Sequence, residues 1–264
     1  MHPRHPYSQS PCGDFTMLWF AKWLRLIIAW LDLCAFTLLM LILARLPMAL
    51  ISGCYPPLFQ AWCRCFVRAL GVELRLHQHY KTSLPTQYIL IANHPSVFED
   101  VGIPALFTVR NLAKEEVRSW WFVGRIAEAA GTLFVRREQK DARQAALQNM
   151  IYAVKAGHSI ALYPEGGCKG RRLWDKFLYG AFTVSLETGV PILPVFLHYE
   201  AQEAFEWGPN TTLLQKLWQV ICAPNKVAHY HVFDPLEASQ FKDRDDYSRH
   251  TYSLYLEWQK RFLE

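Results

Sequence analysis

"DARQAALQNMIYAVKAG" (residues 141–157), followed almost at once by "SIALY" (159–163), decides the fold class. Ala145, Ala146, Met150 and Val154 share one face of a helix, and Gly157 is a stop signal, because a helix end commonly needs a left-handed residue that glycine supplies without strain. The apolar run after it has the length and composition of a buried strand. Working outward, "YILIA" (88–92), "GTLFV" (131–135), "VPILPVFLHY" (190–199) and "KVAHYHVF" (226–233) read as further strands separated by helical or loop segments. This alternation predicts an α/β domain: a mixed, largely parallel sheet flanked by helices.

Ahead of that domain the grammar differs. Residues 26–44, "LIIAWLDLCAFTLLMLILA", form an apolar run interrupted once, by Asp32, and flanked by Lys22, Arg25 and Arg45. At about 1.5 Å per residue such a run reaches across most of a bilayer's hydrocarbon core. It starts too late and runs too long for a cleaved leader. Basic residues at both ends leave its orientation open, as they leave open whether it spans or re-enters; Asp32 would need a partner or an interface. Pro47, Pro56 and Pro57 then break the chain, and "LFQAWCRCFVRAL" (58–70) has the pattern of an interfacial helix, with paired core helices as the alternative. The expected organisation is a membrane-associating hydrophobic helical segment over 1–60 and a globular domain over 61–264.

Composition agrees with a lipid partner: 52% of the residues are hydrophobic and ten are tryptophan, more than a soluble enzyme usually carries. The formal charge of +5 suits an anionic surface, carrier or nucleic acid without choosing among them. Seven cysteines, an odd number with no Cys-x-x-Cys spacing, encode neither a zinc site nor a disulfide framework. They read as reduced thiols, Cys63 and Cys65 among them as packing residues.

Three loops that follow strands gather the reactive side chains, as loops beyond strand ends do in such sheets. "NHPSVFED" (93–100) sets His94 ahead of Glu99 and Asp100. A neutral imidazole can take a proton from an attacking alcohol while a carboxylate on its other nitrogen fixes the tautomer. Ser96 lies outside any nucleophile elbow and reads as a helix cap. The second loop offers Arg136 and Arg137, able to hold a phosphate or carboxylate. In the third, "YPEGGCKGRR" (163–172), glycine-rich backbone and three cations could cradle an anion, although this is not a P-loop. Each loop alone is also compatible with an ordinary surface turn.

Taken in order, "NHPSVFE", "GTLFVRR", "YPEGG" and "VPILPV" behind a hydrophobic amino terminus resemble the glycerolipid acyltransferase family typified by lysophosphatidic acid acyltransferases, over roughly residues 60–235. "LAKEEV" (112–117) and "GAF" (180–182) fit that family's connecting segments. The resemblance implies a membrane-associated O-acyltransferase of phospholipid biosynthesis. It would move a fatty acyl group from an acyl thioester, acyl-CoA or acyl-ACP, to a lysolipid hydroxyl. His94 would match the catalytic base and Glu99 its carboxylate, where the family usually has Asp; Asp100 is the alternative. Arg137 matches a residue for the acceptor's phosphate, Glu165 and Gly166 open the third block, and "VPILPV" resembles a structural strand near the acyl-chain site.

Two departures bear on the acceptor. The third block normally continues Gly-Thr-Arg, whereas here Gly167 and Cys168 follow, so that Lys169, Arg171 or Arg172 would supply the charge; "FLYG" (177–180) lacks the lysine often found before that glycine. Lysophosphatidic acid is then the default acceptor, with a lyso-aminoacyl lipid or another lysophospholipid as competitor. A lipid-binding protein of the same fold without catalysis is the alternative of another class, and a hydrolase ranks last because no nucleophile motif is visible. The expected partners are membrane lipid, lysolipid and acyl-CoA or acyl carrier protein, with no nucleic acid, no metal and no organic cofactor. The expected location is a membrane, at the cytoplasmic face of the inner membrane.

Overall fold

The computed structural model describes residues 12–208 and 211–264. Its seven strands are β1 (Glu73–Gln78), β2 (Ile89–Ala92), β3 (Arg110–Lys114), β4 (Leu133–Val135), β5 (Ile160–Leu162), β6 (Ile192–Tyr199) and β7 (Val227–Val232). They form one sheet in the order β1-β7-β6-β2-β5-β3-β4. Every neighbouring pair is parallel except β6 and β7. The sheet is therefore mixed and largely parallel, as the alternating pattern predicts.

The helices are α1 (Cys12–Leu43), α2 (Met48–Ile51), α3 (Tyr55–Leu70), α4 (Glu99–Leu106), α5 (Glu115–Arg118), α6 (Trp121–Ala129), α7 (Lys140–Lys155), α8 (Gly180–Thr188), α9 (Gln202–Phe205), α10 (Leu213–Cys222) and α11 (Arg244–Leu263). Strand β2 shows why they must lie on both faces. Its alternate residues Leu90 and Ala92 pack into a core shared with α3, α4 and α6, while Ile89 and Ile91 pack into a second core with α7, α8 and α11. A strand buried on both sides reads as a continuous apolar run, which "ILIA" is.

Two strands escape a reading by apolar runs. "ELRLHQ" forms β1 at the sheet edge, half exposed and held by its register with β7; "RNLAK" forms β3 between β5 and β4. Neither is β-branched, so pairing rather than propensity makes them strands.

The amino-terminal region corrects one expectation. Helix α3 buries Tyr55, Trp62, Cys63, Cys65, Val67, Ala69 and Leu70, so it is a core helix and not an interfacial one, and it runs across residue 60 without a break. Its apolar face meets α4 and α1 instead of lipid. Cys63 and Cys65 are packing residues within it; Cys34, Cys54, Cys168 and Cys222 are also free thiols, and the Cys12 side chain lies outside the described residues. Within α1, residues Trp23–Leu43 are long and apolar enough to cross a membrane, with a mean hydropathy of 2.5. Ala29, Leu33 and Met40 turn inward, while Ile27, Leu31, Leu38 and Ile42 stay exposed. The Trp62 indole donates to Thr37 Oγ1 at 2.9 Å, and the Tyr55 hydroxyl donates to the Met40 carbonyl at 3.2 Å. Asp32 lies 3.5 Å from Arg68 of α3, the partner a carboxylate in such a helix requires. Of the basic flanks, Arg25 and Arg45 are exposed, and the Lys22 side chain lies outside the described residues.

Candidate active site

Strands β2, β5, β6 and β4 point the same way, so the loops after them meet at one edge of the sheet. Asn93 fixes the first loop. Its side-chain amide donates to the Leu197 carbonyl at 2.8 Å and accepts from the Leu197 amide at 2.8 Å, extending the β2–β6 ladder by one side chain. His94 follows with its backbone already oriented: its N–H donates to Glu165 Oε1 at 2.8 Å, and its carbonyl accepts from the Lys169 N–H at 3.1 Å.

The His94 ring is 7% exposed and stacks on Tyr163, centroids 3.8 Å apart. Its Nδ1 lies 2.7 Å from Glu99 Oε2. The same oxygen accepts the Ser96 N–H at 3.0 Å, and Oε1 accepts the Tyr199 hydroxyl. Three donors around a fully buried carboxyl suit a carboxylate, with Nδ1–H as the donor and the lone pair on Nε2. Burial disfavours the charged form of both members: it pushes Glu99 upward, against the pull of Tyr199 and Ser96, and it lowers His94 to about 4 despite the nearby Asp100 and Glu165 charges. The imidazole is therefore neutral at physiological pH.

Asp100 takes no hydrogen bond from the His94 ring. It turns toward an apolar cavity of about 120 Å³ lined by residues including Trp62, Phe66, Val97, Phe98 and Val101, and burial raises its carboxyl to about 6. Ser96 is a correction of detail: α4 is capped at Phe98 without a side-chain bond, and Ser96 Oγ accepts the Phe98 N–H at 3.1 Å inside the preceding turn. "VPILPV" leads into the buried structural strand β6. Its strand residues fill the two cores, and the cavity is lined from α3, α4, β3, α5, α6 and α10.

The structure brings His94, Glu99, Arg137, Glu165, Gly166 and Lys169 to one edge. Glu165 is 4% exposed, and besides the His94 amide it accepts the Trp174 N–H at 2.8 Å, tying the first loop to the third. Gly166 is required by its backbone conformation, at φ +75°. Arg137 donates to the Gly166 carbonyl and so joins the second loop to the third. Arg136 parts company with it and is exposed beside Glu115, Glu116 and Glu138, so the two arginines do not share one ligand. The Lys169 ammonium sits 3.6 Å from the centre of the Trp174 ring. Arg171 Nε is 3.9 Å from Glu206 Oε1.

Two members were not visible in the sequence as parts of this site. Tyr199 is the last residue of β6, a hundred positions from the carboxylate it meets, and only the strand order brings them together. Cys168 puts Sγ 3.4 Å from His94 Nε2, at the entrance of a polar cleft of about 590 Å³. Burial and the Glu99 and Asp100 charges push this thiol up, which keeps it protonated. Among the described residues no group of three or more His, Cys, Asp or Glu side chains could hold a metal ion.

Comparison with known proteins gives a consistent set of likenesses. The acyltransferase family model matches residues 75–198. A lyso-ornithine lipid O-acyltransferase of Pseudomonas aeruginosa is 30% identical over 212 residues, covering 78% of this chain and 79% of that one. One from Rhodobacter capsulatus is 29% identical over 205 residues, covering 72% and 71%. A 1-acyl-sn-glycerol-3-phosphate acyltransferase of Neisseria gonorrhoeae is 24% identical over 115 residues, covering 44% and 45%. The crystal structure of a 1-acyl-sn-glycerophosphate acyltransferase from Thermotoga maritima shares the fold, with a TM-score of 0.58 at 16% identity, covering 88% of this chain and 97% of that one.

Proposed function

The chain belongs to the acyltransferase family, as an enzyme acting on lysolipids, and from that premise we propose that it transfers a fatty acyl group from acyl-CoA or acyl-ACP to the hydroxyl of a lyso-aminoacyl lipid at a membrane surface. The observation that carries the reading is the His94–Glu99 pair, 2.7 Å apart at Nδ1, with the opposite ring nitrogen at the mouth of the polar cleft.

His94 Nε2 accepts the proton of the acceptor hydroxyl as its oxygen attacks the thioester carbonyl, and Glu99 stabilises the imidazolium that forms. When the tetrahedral adduct collapses, the same proton passes to the leaving thiolate. No covalent enzyme intermediate is required, and Cys168, held protonated, gives way to the incoming hydroxyl. The thioester already activates the acyl group, so the reaction draws on no metal or organic cofactor. The apolar cavity reaches Ser96 and Asp100 beside the catalytic turn and is placed to take a fatty chain. Arg137 supports the third loop through Gly166. The exposed apolar side of α1 faces lipid.

A lyso-aminoacyl acceptor is preferred over lysophosphatidic acid for two reasons. The two sequence relatives reported above with more than two thirds of their length matched, at 29% and 30% identity, are named for lyso-ornithine lipid, whereas the phosphate-ester relative of Thermotoga maritima shares the fold at 16% identity. The third loop carries Cys168 instead of the arginine that a phosphate ester would use.

Purified protein in detergent should release thiol from an acyl thioester only when a lysolipid is present. His94→Ala should lower that release by about 10² to 10⁴-fold while membrane association persists. Transfer surviving the substitution refutes His94 as the base, and thiol release without acceptor makes the protein a hydrolase. A thioester that is bound but never consumed, whatever lysolipid is supplied, makes it a lipid-binding protein.

A further inference from the structure

The cleft that opens at Cys168 is lined by Cys168, Lys169 and Gly170 on one side and by Glu203, Glu206, Lys216 and Gln219, among others, on the other. Its charged lining consists of two cations and two carboxylates, a balance that matches a ligand carrying one charge of each sign. A phosphate monoester, close to doubly negative, would be brought against Glu203 and Glu206, which are offset by the two lysines and, at the rim, by Arg171, whose Nε lies 3.9 Å from Glu206 Oε1.

Within the cleft the carboxylate of Glu206 is held in place. Glu206 follows α9, and its Oε1 accepts from Gln202 Nε2 at 3.0 Å. Gln202 is buried, and its own Oε1 accepts the Tyr199 N–H at 3.4 Å, so the residue that steadies Glu99 also steadies Glu206. Trp207 donates its N–H to the Pro95 carbonyl at 3.4 Å, which closes this segment onto the catalytic turn. Lys216, on α10, is 5% exposed and lines both the apolar cavity and the polar cleft. Its stem is packed, and among the described residues no hydrogen bond or ion pair engages its Nζ. Burial disfavours the ammonium and the Glu206 charge favours it, and a ligand anion would complete its hydrogen bonding.

We propose that this cleft is the acceptor's head-group site, in which Lys216 takes the carboxylate and Glu206 the ammonium of a zwitterionic amino-acid head group. The inference rests on the lyso-aminoacyl acceptor proposed above and names the residues that select it. The position of Lys216 between cavity and cleft places the ligand's carboxylate at the junction of chain and head group, with its ammonium farther out, toward Glu206.

Three acceptors separate the two contacts: N-(3-hydroxyacyl)-ornithine, the norvaline analogue lacking the side-chain ammonium, and the ornithinamide lacking the carboxylate. Each is assayed with wild-type protein and with Glu206→Gln and Lys216→Met, checked for unchanged thermal unfolding. Glu206→Gln should raise KM for the ornithine lipid about tenfold or more and leave the norvaline analogue unaffected, because loss of a charge-assisted contact is felt only where its partner exists. Lys216→Met should penalise the ornithine and norvaline acceptors alike and spare the ornithinamide; kcat should change little in every case. Variants that weaken all three acceptors equally, or none, overturn the head-group assignment while the acceptor class stands. Wild-type protein that acylates lysophosphatidic acid but none of the three overturns both.

Discussion

The His94 ring works in a nearly closed box: Tyr163 against one face, Glu99 on Nδ1 and Cys168 on Nε2. Burial lowers its proton affinity to about 4, so the basic form persists well below the range in which a free histidine titrates. The acid limb of kcat/KM, which reports the free enzyme, should therefore bend below pH 6, and an acid limb centred near 6.5 would contradict the burial seen for this ring. Glu99→Gln should lower kcat by about 10² to 10⁴-fold by loosening the tautomer, as loss of the orienting acid does in related constellations. Tyr199→Phe removes one of three donors and should cost about tenfold, with stopped assays at saturating donor separating the two effects. His94 and Glu99 were legible in "NHPSVFED" because five residues of one turn bring them together. The sequence left Asp100 as the alternative to Glu99, and the helix phase of α4 rejects it. Tyr199, Glu206 and Lys216 carried no local signal, since each acquires its neighbours through strand order and helix docking.

Among the elements, β2 and α4 set the geometry of that box. Asn93 replaces two backbone hydrogen bonds beyond the end of β2, and Asn93→Ala strands both groups of Leu197. A loss of about 2–4 kcal/mol is expected in urea unfolding, together with a drop in activity. Helix α4 lies so close to β7 that a Cβ on Gly102 would come within 2.0 Å of the Tyr230 hydroxyl. Tyr230 is fully buried and cannot retreat. Gly102→Ala gains about 1 kcal/mol of helix propensity but incurs about 1–3 kcal/mol or more of overpacking, so the variant should unfold at lower temperature. Strands buried on both faces were plain in the sequence, "ILIA" above all. The edge strand "ELRLHQ" was not, because half of it faces solvent and its charges hide the pattern. The amphipathic look of "LFQAWCRCFVRAL" was equally ambiguous: an apolar face fits lipid or another helix, and here α1 and α4 cover it.

At the scale of the molecule, the far side of the sheet holds five stacked histidines that take no part in the proposed chemistry. His77 Nε2 lies 2.8 Å from His229 Nδ1, His79 Nε2 lies 2.9 Å from His231 Nδ1, and His198 stacks between His229 and His231. Phe262, near the end of α11, covers His231. Burial first, then mutual repulsion, lowers His198 to about 4 and His231 to about 3. With folded-state values below the unfolded value near 6.5, these histidines bind fewer protons in the native protein than in the unfolded chain, so their contribution to stability falls as the pH drops through 6.5 toward 4, partly offset by the raised carboxyl of Asp100. Thermal unfolding should occur several degrees lower at pH 5 than at pH 7, and His231→Phe, which keeps the stack on Phe262, should flatten that dependence. The individual histidines are visible in "HQH" and "HYHV", but their assembly follows from the parallel register of β1 and β7, which no local pattern announces. The packing of α1 has a further consequence. It grips α3 through Trp62, Tyr55 and the Asp32–Arg68 pair, and α3 grips α4, the helix that carries Glu99. A bilayer holding α1 would therefore fix the draught and tilt of the whole body, and lysolipid would have to glide in sideways along the leaflet, since the imidazole has no slack with which to reach out for it.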